Sequence, residues 1–155
     1  MVGLSSLAHK SGKLVFDNLN AEKRYSKLAA YAQSKLAVVM FAYELQRRLA
    51  KAGSSTLSVA AHPGIAKSDL ARNGKVEALV MKLAAQSTEK GVLPTLRAAI
   101  DKQIQGGDYL GPSGFLNMRG TPIVHPSSSR SYDAANASRL WQVAEELTGV
   151  TFLSQ

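Results

Sequence analysis

The chain has no cysteine among its 155 residues. That absence excludes disulfides, thiolate zinc sites and cysteine nucleophiles, and removes the usual mark of a secreted, disulfide-stabilised fold. No apolar run approaches the roughly 20 residues that a membrane-spanning helix needs, and residues 1–12 lack the charged start and long apolar stretch of a signal peptide. A cytoplasmic chain with no membrane span is the expectation. Acidic residues are scarce beside basic ones: 11 Asp and Glu against 19 Lys and Arg, a formal net charge of +8. Residues 1–51 carry the excess, 9 basic against 3 acidic, while residues 52–155 hold 10 against 8. The positive residues are scattered among Ala, Leu and Ser, and no aromatic-rich basic segment occurs, so a solvated face is favoured over a nucleic-acid partner. His9 and His125 have no acidic or histidine partner at metal-ligand spacing. No metal site is expected, and both are read as loop histidines.

What is present is the balance of a globular domain, 45% apolar and 19% charged, and residues 1–155 are read as one domain. From Ser26 to Ala52, Leu28, Tyr31, Leu36, Val39, Met40, Tyr43, Leu45 and Leu49 recur near the helical period, and Gly53 ends the run. The stretch from Leu36 to Tyr43 is apolar nearly all round, which calls for burial on two sides, by a sheet and a neighbouring layer or by a subunit contact. A strand is expected within 56–62, bounded by Gly53-Ser54-Ser55 and Pro63-Gly64. A long helix feeding such a strand fits a parallel βαβ layout.

Weaker helices are expected over 76–85 and 89–104, with Pro94 tolerable in the latter only in a first turn. A short strand is expected within 106–112, then a Gly/Pro/Ser-rich excursion through Arg130. A last helix opens at Asp133, a good N-cap, and closes at Gly149. Val2-Gly3-Leu4 reads as the end of a buried strand. Two or three short parallel strands make a poor core for helices this apolar, so a preceding segment is expected to be missing.

Tyr31 and Lys35 are four residues apart, a spacing that puts them on one face of a helix. A phenol is a poor base at neutral pH, and a nearby positive charge favours the phenolate. Ser5-Ser6, 25 residues before Tyr31 in the case of Ser6, offer a hydroxyl to hold a substrate oxygen or, more simply, to satisfy backbone groups at a strand end. Alone, the Tyr-x-x-x-Lys spacing fits an ordinary amphipathic helix as well.

In sequence order, Ser5-Ser6-Leu7-Ala8-His9, Glu22-Lys23-Arg24-Tyr25-Ser26, Tyr31-Ala32-Gln33-Ser34-Lys35-Leu36-Ala37 and His62-Pro63-Gly64 resemble the short-chain dehydrogenases/reductases, in particular the branch of retinol dehydrogenases and protochlorophyllide reductases. Residues 106–112, 138–141 and 145–149 resemble the C-terminal part of bacterial members of that branch. The resemblance implies the C-terminal half of a Rossmann-type, doubly wound parallel α/β sheet. It implies an oxidoreductase that interconverts an alcohol and a carbonyl by hydride transfer with NAD or NADP, NADP placed ahead, on an apolar small molecule.

By the same resemblance Tyr31 is the acid/base, Ser6 polarises the substrate oxygen, and Lys35 tunes the tyrosine and binds the nicotinamide ribose. Pro63, Gly64 and Ile65 present backbone to the nicotinamide amide, with Ser68 where the family often has Thr. Residues 68–86 fall where the family has a mobile flap over the substrate, although a surface amphipathic helix fits that composition nearly as well. His62 suits a packed or cofactor-adjacent histidine better than a base.

The family's N-terminal βαβ part, with its Gly-rich turn for the pyrophosphate, has no counterpart in the sequence, and the Asn that the family places two positions before its Ser pair falls at Gly3. Three expectations follow. One is a catalytic half present as a truncated or split chain, with helix 26–52 as the surface for a possible homo-oligomer. A second is completion by a partner chain that supplies the Gly-rich half. The third is a truncated, non-catalytic fragment serving as an oligomerisation or interaction module.

Overall fold

Four short strands form one sheet, β1 (Val2–Leu4), β2 (Val59–Ala61), β3 (Tyr109–Pro112) and β4 (Pro122–Val124), in the order β1-β2-β3-β4. Among the described residues three helices accompany them, α1 (Lys27–Lys51), α2 (Thr88–Ile100) and α3 (Ala134–Thr148), the last following β4. The structure, a computed structural model, describes residues 1–65 and 86–153. The expected helix 76–85, and Ser68 with nearly all of the expected flap, lie outside the described residues.

The first three strands run parallel, Val2 beside Val59 and Ala60 beside Tyr109. The mixed α/β layout therefore agrees with the sequence reading, with one correction. β4 lies in the stretch read as an irregular excursion, and it pairs antiparallel to β3, Leu110 facing Val124 and Gly111 facing Ile123. A three-residue strand that opens on proline has no alternation to reveal it. In β1, read as the end of a buried strand, Val2 and Gly3 are half-buried and Leu4 is exposed.

Alternate residues of the sheet feed two cores, as the period of a strand requires. Ala60 and Tyr109 face α1, where they meet Val39, Ala42 and Tyr43. Val59, Ala61 and Leu110 face the other way and pack with Ile104, Val2 and Ala98 of α2. The second apolar side of α1 is covered by α3: Leu36 and Met40 meet Ala137 and Leu140, and Leu45 and Leu49 meet Trp141. The two-sided apolar character of α1 is thus spent within the chain. What remains open on that side is an apolar groove beside β1, lined by Met1, Gly3, Leu4, Val38, Phe41 and Leu140 among others.

The helix ends follow local chemistry. The Asp133 side chain accepts from the Asn136 N–H, and Gly149 ends α3 with φ +68°, the left-handed cap that glycine adopts without steric cost. Pro94 corrects an expectation, because it sits seven residues into α2 and not in its first turn. The ring removes one ladder bond, and the fully buried position of Pro94 recovers apolar contact in exchange.

A buried ion pair lies within α1, on the side that α3 covers. Glu44 accepts from Arg48 Nε at 2.8 Å and from Arg47 at 2.6 Å. Arg48 lies over the Trp141 ring, 4.6 Å from its centroid, and donates to the Leu153 carbonyl at 3.2 Å.

Candidate active site

The residues singled out in the sequence converge on one end of the parallel strands. Ser5 and Ser6 follow β1, and His62 to Ile65 follow β2. In a parallel α/β sheet the loops at the carboxyl ends of the strands are where ligands bind. α1 brings Tyr31 and Lys35 to the same end. Lys35 Nζ donates to the carbonyl of Leu4, the last residue of β1, at 3.1 Å, and stands 5.7 Å from the centroid of the Tyr31 ring. Tyr31 is 37% exposed, so a small molecule can reach it. An ammonium has three N–H groups, so two remain for a ligand after the bond to Leu4.

The serine pair divides its work. Ser5 is buried and donates to the Lys35 carbonyl at 2.9 Å, which anchors α1 to the end of β1. Ser6 is only half-buried, and its hydroxyl oxygen accepts from the Ala8 N–H at 3.3 Å as the cap of a short 3-10 turn over Leu7–Ser11. That role uses a lone pair and leaves the hydroxyl proton free to be donated. Both serines thus satisfy backbone groups at the strand end, and Ser6 is the one with exposure to spare.

The loop after β2 is tightly held. Gly64 has φ +70°, and a Cβ there would collide with the Met118 carbonyl, so only glycine fits. The Ile65 N–H donates to the Met118 carbonyl at 2.7 Å, the Gly64 N–H to His62 Nδ1 at 3.1 Å, and Gln86 donates through its backbone to the Ile65 carbonyl and through its side chain to the Pro63 carbonyl. The loop's amide donors are thus engaged within the protein, and the Gly64 carbonyl is the group of Pro63, Gly64 and Ile65 left without a bond among the described residues. Gln86, buried and also accepting from the Gly120 N–H at 3.2 Å, is a brace the sequence did not announce, since a lone glutamine carries no pattern.

Three histidines gather behind these loops. His9 is fully buried, which corrects its reading as a loop histidine. Its ring meets Tyr109 edge-on, and Tyr109 also stacks on His62 and meets His125 edge-on. Burial foremost, then the charges of His125, His9 and Lys10, pushes His62 down to about 3. Burial likewise lowers His9 and His125, and it raises the phenol of Tyr109. These are neutral packing groups, as expected for His62. Among the described residues no group of three or more His, Cys, Asp or Glu is placed to hold a metal.

A nicotinamide cofactor fits this arrangement in part. Lys35 and Tyr31 offer an ammonium and a phenol, and the Gly64 carbonyl an acceptor, the kinds of group that a ribose and a carboxamide hydrogen-bond to. Among the described residues no Gly-rich turn leads into a helix N-terminus, the device that receives a pyrophosphate.

A three-layer α/β sheet with a Ser, Tyr and Lys at the carboxyl end of its parallel strands defines a class of fold and site. The comparisons with known proteins place the chain more closely. No family model matches. Over 97% of its length the chain is 35% identical to human retinol dehydrogenase 12, 49% identical to mouse retinol dehydrogenase 13 and 32% identical to human polyprenol dehydrogenase, covering 46%, 45% and 45% of those proteins. The crystal structure of an uncharacterized protein from Mycobacterium paratuberculosis matches with a TM-score of 0.75 at 34% identity, covering 97% of this chain and 50% of that one. The chain belongs to the short-chain dehydrogenase/reductase family and corresponds to its C-terminal half. It spans about half the length of the curated relatives it matches.

Proposed function

We propose that the chain carries the proton-transfer half of an NAD(P)-dependent oxidoreductase that interconverts an alcohol and a carbonyl. The observation that carries this reading is the seating of Lys35 on the Leu4 carbonyl at 3.1 Å, with the exposed Tyr31 one helical turn away. A bound nicotinamide would deliver or accept the hydride at the substrate carbon. Ser6 donates its hydroxyl proton to the substrate oxygen and holds it in place. Tyr31 gives a proton to that oxygen in reduction and takes it back in oxidation. Lys35 favours the phenolate at the moment the proton leaves, and meets the ribose with its remaining N–H groups. Ser68 is proposed as a further cofactor contact. Relatives named for retinol and polyprenol, both apolar alcohols, support an apolar substrate.

The pyrophosphate of the cofactor needs donors beyond this chain's described residues, for which a Gly-rich half of the family's kind is the source we propose. One observation favours a second reading, an interaction module without catalysis. An apolar groove beside β1, lined by Leu4, Val38, Phe41 and Leu140 among others, offers a surface for a partner.

The deciding experiment is a titration of the folded chain with NADH and NADPH, followed by nicotinamide fluorescence and thermal stability, and then NADPH oxidation with an apolar aldehyde. Saturable binding and turnover that Tyr31→Phe abolishes with the fold unchanged support catalysis. A folded chain that binds neither cofactor sinks the enzymatic reading for this chain alone and favours the module.

A further inference from the structure

The hydrogen bonds around His9, His62 and His125 fix the tautomer of each ring. A backbone N–H can only donate. Ser128 N–H points at His9 Nε2 at 3.0 Å, so that nitrogen is bare and Nδ1 carries the proton, donated to the Ser6 carbonyl at 2.7 Å. Gly64 N–H points at His62 Nδ1 at 3.1 Å, so His62 is protonated on Nε2. That proton faces His125 Nε2 at 3.2 Å, which leaves His125 its Nδ1 proton, 3.1 Å from the Pro126 carbonyl.

The two chains of bonds end in one place. His9 ties the Ser6 loop to Ser128, and His62 ties the Gly64 loop through His125 to Pro126. The segment 125–128 is itself held firmly: the His125 N–H donates to the Tyr109 carbonyl at 3.0 Å, and Ser127 Oγ meets the Tyr43 hydroxyl of α1 at 2.7 Å and Ser131 Oγ at 2.6 Å.

We propose that residues 125–128 form a strap which sets the Ser6 loop and the Gly64 loop in register through three neutral imidazoles, making His9 and His62 positioning residues for the site. The strap is a property of the fold. That it serves catalysis rests on the function proposed above.

Protonation of any of the three rings places an N–H against another N–H, so the strap requires all three neutral. The groups that face the cluster are His9 and Lys10 from the turn after β1, Tyr43 from α1, Tyr109 from β3, His125 after β4 and Tyr132 from the following turn. None of these is a carboxylate that would stabilise an imidazolium.

The test uses the folded chain and two pairs of variants. An Asn amide reaches the place of the imidazole Nδ1 and a Gln amide that of Nε2. His9→Asn keeps the bond to Ser6 and loses the one to Ser128, and His9→Gln does the reverse. His62→Asn keeps the Gly64 bond, and His62→Gln loses it while still reaching His125.

In the unmutated chain, long-range proton–nitrogen spectra of labelled histidine should read Nδ1–H for His9 and His125 and Nε2–H for His62 at pH 7. Amide hydrogen exchange at Ser128 should rise about tenfold in His9→Asn and not in His9→Gln. Exchange at Gly64 should rise about tenfold in His62→Gln and not in His62→Asn. Urea unfolding of all four variants, run in parallel, subtracts any general loss of stability. A different tautomer on His9 or His62, or equal exchange in both members of a pair, overturns the strap.

Where the chain binds NADPH, His62→Gln should weaken binding about tenfold and His62→Asn should restore it. Absence of binding in the unmutated chain defeats the enzymatic reading for this chain alone. The tautomers and the exchange pattern still decide the strap.

Discussion

Acid should weaken this protein well before its carboxylates titrate, and His62 supplies most of the effect. In the unfolded chain a histidine takes up a proton near pH 6.5, whereas in the fold His62 does so only at about 3. Above pH 6.5 the ring is neutral in both states and contributes nothing to the pH dependence. Below it the unfolded state binds the proton and the native state does not, so stability falls as pH falls.

At about 1.4 kcal/mol per pH unit, the interval from 6.5 to about 3 amounts to about 5 kcal/mol, comparable with the whole stability of a small domain. Between pH 6.5 and 4.5 the loss from His62 alone is about 2.5 kcal/mol, with His9 and His125 pulling the same way. The carboxyls held low in this fold, Glu89 by bonds from its own N–H and from Ser87, Asp101 by bonds from Gln103 and Arg97, and Asp133 by bonds from Asn136, lose their contribution mainly below the ordinary carboxylate range. The histidine window is therefore separate.

Urea unfolding at half-unit steps from pH 7.5 to 4.5 measures it, with His62→Asn as the control that keeps the Gly64 bond and removes the titrating group. The expected result is a slope approaching 1.4 kcal/mol per pH unit that becomes shallower in the variant. A stability that stays flat to pH 4.5, or an equal slope in His62→Asn, would refute the reasoning.

Two further substitutions probe the frame of the site. Glu44→Gln leaves the buried Arg48 guanidinium without its carboxylate and should cost about 3–5 kcal/mol in urea unfolding, part of which Arg48→Met in the same chain recovers. Gly64→Ala sets a Cβ against the Met118 carbonyl at a backbone angle of φ +70°. It should cost at least about 1–3 kcal/mol, and the Ile65 and Met118 amides should shift most in an amide spectrum.

The parts of the fold legible in the sequence are those written in local patterns. α1 runs from Lys27 to Lys51, within a residue of the expected ends, because its periodicity is long and Gly53 punctuates it. α3 begins after Asp133 and ends at Gly149 as the caps require. β3 was legible from the glycines around it, while β2 covers only Val59–Ala61 of the expected 56–62. What escaped was written in long-range contacts. β4 exists because β3 offers it an edge, and Pro94 sits inside α2 because the site it fills is buried. The ion pair of Glu44 with Arg48 has only an ordinary helical spacing to mark it, and its burial comes from α3, whose Trp141 covers Arg48.

The site divides in the same way. Tyr31 and Lys35 were readable because four residues on a helix is a local distance. Ser6 was readable only through its order relative to them, and the exchange of roles between Ser5 and Ser6 depends on which hydroxyl faces α1. His9, 116 residues before His125 in sequence, offered no spacing that joins them. Yet the reason they meet is physical. Three imidazoles gathered around Tyr109, two of them fully buried, must find donors and acceptors, and the backbone amides of Gly64 and Ser128, together with the carbonyls of Ser6 and Pro126, provide them. The same groups that keep a buried cluster from being unsatisfied thereby hold two loops, from two different strands, at the end of the sheet where Tyr31 waits.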